Sequence, residues 1–315
     1  MRRNLARITL ARPGLLEGLV RAGIGLERLS LLPADSGLRI RLGLLEGARG
    51  KPGPGRAWKS REEDGGEPRF SYFSGCLARH LQPSVGSATR LLVRELAGSG
   101  LHEPESQACC GMASWSTGNL EEARRLARNN IAAFENRPGP VLTSCASCTA
   151  HLARYPALFE DDPVWQGKAE AFSGRVRDFS AFLLEKVGRT VFPAPALRRV
   201  FYHEPCHLRF GGADRDAPRD ILRQVADIAL VEPDVHHCCG QGGLFHLGYP
   251  ELSERIFARA DDAARAAEPD AVVTGCSGCL LQWQAGMATR PGSVPVLHLA
   301  VFLGRCLEAA TPNTG

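Results

Sequence analysis

Two hydrophobic patterns divide the 315-residue chain. Over residues 15–32, LLEGLVRAGIGLERLSLL, apolar side chains recur at helical spacing with Arg21, Glu27 and Arg28 on the other side, which predicts an amphipathic helix. From Phe70 onward, short apolar runs such as FSYFSG, PVLTS, VFYHEP and AVVTG alternate with longer segments of helical period, among them GNLEEARRLARNNIAAF and YPELSERIFARADDAARAA. Between the two regions, residues 47–69 (GARGKPGPGRAWKSREEDGGEPR) are rich in Gly, Pro and charge and read as a flexible tether. The pattern therefore predicts a helical head and linker over 1–68, a first domain over 69–195 and a second over 196–315.

The two domains are copies of one plan. The first copy runs from about 69 to 190 and the second from about 197 to 310. FSYFSG leads into Cys76, and VFYHEP leads into Cys206. After 32 intervening residues comes Cys109-Cys110-Gly111; in the second copy 31 residues separate Cys206 from Cys238-Cys239-Gly240. A further 34 residues lead to Cys145-Ala-Ser-Cys148, and 36 lead to Cys276-Ser-Gly-Cys279. VRDFSAFLLEK (176–186) lines up with VLHLAVFLGRC (296–306), and only Cys306 falls outside the pattern. Each copy reads strand, helix, strand, helix, strand, helix, strand, helix. That alternation predicts an α/β fold with a mainly parallel sheet flanked by helices, because parallel strands need crossover connections. All five cysteines of a copy follow predicted strand ends, so the fold should gather them at one sheet edge, with helix N-termini favouring thiolates.

Composition and charge narrow the class. Apolar residues make up 44% and charged residues 23%, which excludes a disordered chain. No apolar run reaches membrane-spanning length, and the arginines of MRRNLARITLARPG interrupt any signal-peptide core, so a cytoplasmic protein is expected. Residues 1–60 hold twelve Lys/Arg against four Asp/Glu, whereas the net charge of the whole is only +4. This argues against a nucleic-acid-binding body. It leaves a basic head that either docks on a partner or an anionic membrane surface, or is simply solvated.

Eleven cysteines in a reducing compartment point to metal binding or redox chemistry rather than disulfides. Clustered thiolates select zinc, copper(I) or iron–sulfur centres. Two adjacent cysteines cannot easily aim both sulfurs at one small ion, but a multi-iron cluster offers separate iron atoms to reach. The glycine after each pair allows a tight turn near the metal.

The ten cysteines in this doubled arrangement, Cys76, Cys109-Cys110-Gly111, Cys145-x-x-Cys148 and Cys206, Cys238-Cys239-Gly240, Cys276-x-x-Cys279, resemble the duplicated cysteine-rich CCG domain. That domain occurs in the disulfide-reducing subunit of heterodisulfide reductase and in iron–sulfur subunits of glycolate oxidase, anaerobic glycerol-3-phosphate dehydrogenase and lactate-utilisation complexes. ARRLARNNIAAFEN and HLAVFL are most similar to the glycolate oxidase type. The resemblance implies a [4Fe-4S] cluster, noncubane in heterodisulfide reductase, held by each motif, with zinc in one motif as the alternative. It also implies an FAD-containing dehydrogenase partner and a ferredoxin-like subunit or other electron carrier. Glycolate oxidase iron–sulfur subunits carry N-terminal ferredoxin motifs, and here no cysteine precedes Cys76. Those clusters are expected on a separate polypeptide, unless the chain is a truncated or divergent relative.

Three functions follow as expectations: an electron-transfer subunit of a flavin-linked 2-hydroxyacid oxidoreductase, a disulfide-reducing catalyst of the heterodisulfide reductase type, and a zinc-stapled scaffold. His207, His236 and His237 adjoin the cysteines and are either donors of hydrogen bonds to sulfur or ordinary loop residues. His298 occupies the position of Asp178 at the end of the last strand, where it either lines the site or, as the preferred expectation, starts the helix. Trp115 and Phe245 are expected in the core or as shields over the clusters, and Cys306 is expected to be buried and inert. GQGG after Cys239 belongs to the metal turn rather than to a phosphate loop, and no Ser-His-acid triad is indicated.

Overall fold

The computed structural model describes residues 2–28, 68–187, 192–193, 197–225 and 227–310. The head contains two helices, α1 (Arg2–Leu10) and α2 (Pro13–Arg28). The second starts two residues before the expected amphipathic segment and covers it to Arg28; residues 29–32, and the tether up to residue 67, lie outside the described residues.

The first sheet comprises β1 (Phe70–Tyr72), β2 (Leu101–His102), β3 (Val141–Thr143) and β4 (Val176–Asp178), in the order β2-β1-β3-β4. The second comprises β5 (Arg199–Tyr202), β6 (Ala229–Val231), β7 (Ala271–Thr274) and β8 (Val296–His298), in the order β6-β5-β7-β8. Every pairing is parallel, and equivalent positions share a register: Thr143 pairs with Asp178 and Thr274 with His298. The central strands are mostly buried, as strands covered on both faces must be; all three residues of β3 and all four of β7 are buried.

Helices fill the crossovers of the first repeat: α3 (Cys76–Leu81), α4 (Pro83–Ala97), α5 (Met112–Trp115), α6 (Leu120–Glu135), α7 (Ala146–Leu152), α8 (Pro163–Ser173) and α9 (Phe179–Val187). Those of the second are α10 (Cys206–Phe210), α11 (Ala217–Leu222), α12 (Phe245–Gly248), α13 (Pro250–Ala266), α14 (Ser277–Ala288) and α15 (Leu299–Ala310). Local signals start them where expected. Asn119 accepts a hydrogen bond from the Glu122 N–H to cap α6, with Glu121 and Glu122 in its first turn.

Asp178 and His298 play the same part in the two repeats. The Asp178 carboxylate accepts from the Ser180 N–H, and His298 Nδ1 accepts from the Ala300 N–H, so both are helix-start residues as expected. Cys306 is fully buried on α15, where burial pushes its thiol up to about 12.

The repeats are packed reciprocally. The last helix of each lies on an early helix of the other, α15 on α4 and α9 on α11. Each Cys-x-x-Cys helix likewise packs on the first-cysteine helix of the opposite repeat, α7 on α10 and α14 on α3. A backbone bond from Ala146 N–H to the Gly275 carbonyl (3.0 Å) joins the two Cys-x-x-Cys turns directly. The cysteine-bearing edges of the two sheets therefore face one another.

Candidate metal centre

In each sheet the chain leaves the two middle strands toward opposite edges, so their C-terminal ends diverge and open a crevice. Cys76 opens the helix after β1 and Cys145 caps the helix after β3; Cys206 and Cys276 do the same after β5 and β7. The Cys-Cys pairs enter from the loops after β2 and β6. All ten cysteines named from the sequence line one cavity of about 530 Å³. Two separate pockets were expected. A single one is found because the reciprocal packing puts the two crevices mouth to mouth, with Cys145 Sγ and Cys276 Sγ only 3.9 Å apart across the repeat boundary.

Within the first quintet, Cys76 Sγ lies 3.5 Å from Cys109 Sγ. In the second, Cys239 Sγ lies 3.4 Å from Cys279 Sγ. Crowded sulfurs cannot all carry charge without a cation. Hydrogen bonds from Cys110 and Cys76 pull the Cys109 thiol well below its ordinary value, while the same contacts push Cys76 and Cys110 up. Likewise Cys206 and Cys239 hold Cys238 down to about 2 and are themselves raised. Cys145 and Cys279 hold Cys276 low. The first cysteine of each Cys-Cys pair, together with Cys276, thus favours the thiolate, and the others are poised to lose protons to a metal.

The second quintet is the more open one. Cys238 is exposed, whereas Cys109 and Cys110 are buried. In the first repeat the turn is held by neutral groups. Asn130 accepts from the Ala108 N–H (2.8 Å) and donates to the Cys109 carbonyl (3.0 Å), while the Tyr155 hydroxyl donates to the Cys110 carbonyl (2.8 Å). Gln107 accepts from the Ser74 N–H at 3.0 Å. In the second repeat the position of Ser74 is taken by Glu204, fully buried and ion-paired with Arg209 and with Arg219 (2.6 Å). Arg219 also pairs with Glu232 at 2.7 Å and approaches His236 Nε2 at 3.3 Å.

Both glycines after the Cys-Cys pairs adopt left-handed backbone, φ 96° at Gly111 and 83° at Gly240. The physical reason lies behind the turn rather than at the metal. A Cβ on Gly240 would stand 2.4 Å from the Ser253 carbonyl oxygen of α13.

The histidines separate. His207 lines the cavity, and Ser147 bridges its Nδ1 (2.7 Å) to Cys276 Sγ (3.2 Å). His236 and His237 instead border a small pocket on the far side of His203. Trp115 is partly exposed beside His151 and Arg154, outside the cavity lining, and Phe245 packs on Tyr249. Gln241, Gly242 and Gly243 do line the cavity, as the metal-turn reading of GQGG expects.

Sequence reading missed His203. It is buried, its Nε2 has no hydrogen-bond partner among the described residues, and with Cys239 and Cys279 it forms a group whose ligand atoms lie within 4.8 Å of one another. Desolvation lowers it to about 4 and keeps the ring neutral. Comparison of FSYFSG with VFYHEP carried the signal, since His203 stands where the first copy has Phe73. The head closes the opposite wall of the cavity with Leu5, Leu10, Leu16 and Leu19. Its helices pack on α3, α5 and α12, so its apolar side faces the site.

Fold and site together define a duplicated α/β protein that gathers two cysteine quintets at facing sheet edges. The family model of the cysteine-rich CCG domain matches residues 70–153 and 200–284, and the chain belongs to that family. It is 34% identical over 251 residues to a "Probable glycolate oxidase iron-sulfur subunit" of Bacillus subtilis (strain 168), covering 78% of this chain and 56% of that one. It is 30% identical over 237 residues to lactate utilization protein A of Bacillus velezensis, covering 75% of this chain and 98% of that one. The chain therefore spans little more than half of the first relative and nearly all of the second. A hypothetical protein from Helicobacter pylori shares the fold, with a TM-score of 0.55 at 10% identity over 79% of this chain and 50% of that one.

Proposed function

We propose that the chain is an iron–sulfur electron-transfer subunit serving oxidation of a small 2-hydroxyacid of the glycolate or lactate kind. The observation that carries the reading is the convergence of ten thiols, and few other polar groups, on one cavity. That donor set fits the group: soft sulfur ligands in two sets of five, three of them drawn well below the ordinary thiol value by neighbouring cysteines. Cys76, Cys109, Cys110, Cys145 and Cys148 would hold one cluster, and Cys206, Cys238, Cys239, Cys276 and Cys279 the other. Bound there, iron–sulfur clusters supply one-electron redox chemistry within the protein.

The names of the relatives support the substrate class. Oxidation of a 2-hydroxyacid to a 2-oxoacid releases two electrons and two protons, a step for a separate FAD-containing subunit; a ferredoxin-like carrier would take the electrons onward. This chain's own residues provide the conduit. The cysteines fix the centres, Ser147 and His207 brace Cys276, and leucines of the head line one wall of the cavity. Among the described residues no helix is long and apolar enough to cross a membrane.

The test is anaerobic capture of the tagged chain from its host, followed by addition of glycolate or lactate to the captured complex. Bleaching of the iron–sulfur absorption by one of these acids is expected. Bleaching by neither, together with reoxidation of the reduced chain by an organic disulfide, would instead favour the heterodisulfide reductase type.

A further inference from the structure

The two motifs are alike in their cysteines and unlike in what stands behind them. Phe73 and His203 occupy equivalent positions at the ends of β1 and β5, and both are buried. A buried imidazole nitrogen without a partner costs free energy on the order of 1–3 kcal/mol unless something satisfies it. None of the described residues does so for His203 Nε2. The ring is not loose: its backbone N–H bonds the Val273 carbonyl at 2.9 Å, and the edge of Trp283 meets it at 5.3 Å between centroids. It is held beside Cys239 and Cys279, all three ligand atoms lying within 4.8 Å of one another. Two donors on one metal atom at about 2.0–2.3 Å stand roughly 3.3–3.8 Å apart, so small side-chain rotations close the set.

We propose, on the footing of the iron–sulfur reading, that His203 is a ligand of the second centre, so that the chain carries one all-thiolate centre and one mixed thiolate–imidazole centre. A neutral imidazole gives less negative charge to iron than a thiolate does, and histidine ligation raises the reduction potential of an iron–sulfur centre. The two centres are therefore inequivalent. The second, nearer to solvent through Cys238, is the one reduced first in a redox titration, and electrons entering at the first run downhill to it.

The test is pulsed EPR for ¹⁴N coupling on the full-length chain, isolated anaerobically and poised so that each centre is paramagnetic in turn. Iron content is measured alongside. The wild type should show one strongly coupled imidazole nitrogen on the centre that reduces first. His203→Phe, which installs the residue of the first repeat, should lose it. His203→Cys should lose the nitrogen while keeping its iron, and the second centre should then titrate at a lower potential. His151→Gln is the control, because both ring nitrogens of the buried His151 also have no partner among the described residues. An iron-loaded wild type without nitrogen coupling overturns the assignment and leaves the iron–sulfur reading standing. So does a coupling that survives in His203→Cys or disappears in His151→Gln. A chain that takes up no iron overturns both.

Discussion

Removing the Arg219 guanidinium tests how the second motif is held. Arg219 is buried and bonds Glu204 at 2.6 Å, Glu232 at 2.7 Å and the Arg215 carbonyl at 2.7 Å, and it lies over the Tyr202 ring at 5.3 Å. Glu204 is two residues before Cys206, so this cluster anchors the turn that delivers the first ligand. Arg219→Met keeps the length of the side chain but leaves a fully buried carboxylate supported by Arg209 and, at 3.7 Å, by the exposed Arg215. Truncating one partner of a buried ion pair costs about 3–5 kcal/mol; with Arg209 still in place the low end applies, about 3 kcal/mol. At about 2–4 °C per kcal/mol for a chain of this order, the midpoint should fall by about 6–12 °C. The assay is anaerobic differential scanning calorimetry of the metal-loaded chain at fixed scan rate. Glu204→Gln/Arg219→Met, which removes the charge together with its partner, should melt above Arg219→Met alone. A single variant within about 1 kcal/mol of wild type, or a double variant with fully additive losses, would refute the reasoning.

Other outcomes follow from the same geometry. Cys276→Ser should disturb the spectra of both centres, because Cys276 Sγ is 3.9 Å from Cys145 Sγ, whereas Cys109→Ser should disturb only the first; EPR of the two variants checks this. Gly240→Ala should destabilise by about 2 kcal/mol or more, since it combines left-handed backbone with a Cβ 2.4 Å from the Ser253 carbonyl, and thermal melting reads it. Burial lowers His298 from 6.5 to about 4, so between those values the unfolded chain binds a proton that the folded chain refuses. Stability should fall as pH drops through 6.5 toward 4, by about 3 kcal/mol in all from this residue. His298→Asn, which keeps an acceptor for the Ala300 N–H, should flatten that acid limb in urea titrations.

Much of the fold was legible because the duplicated cysteines mark strand ends. Cys76 and Cys206 begin helices directly after β1 and β5, and Cys145 and Cys276 cap those after β3 and β7. The pairing of Asp178 with His298 as helix-start residues followed from the same alignment. The place of α1 was not legible: with Arg2, Arg3 and Arg7 among nine residues the basic head can equally be a solvated one, and nothing local sets Leu5 and Leu10 against the cavity they line. The meeting of Cys145 with Cys276 spans 131 positions and depends on the packing of α7 on α10 and α14 on α3, which no local pattern encodes. His203 hid at the end of an apolar strand, where polar residues read as the edge of the core. The buried Glu204 and Arg219 pair was equally silent, because its partners stand on the turn after β5 and on α11, a spacing that no local periodicity marks as a contact.

The most direct measurement is the iron, acid-labile sulfide and zinc content of the full-length chain purified without oxygen. Two thiol quintets filled by clusters predict a brown protein with about eight iron and eight sulfide atoms per chain. A colourless protein that holds only zinc would contradict the account.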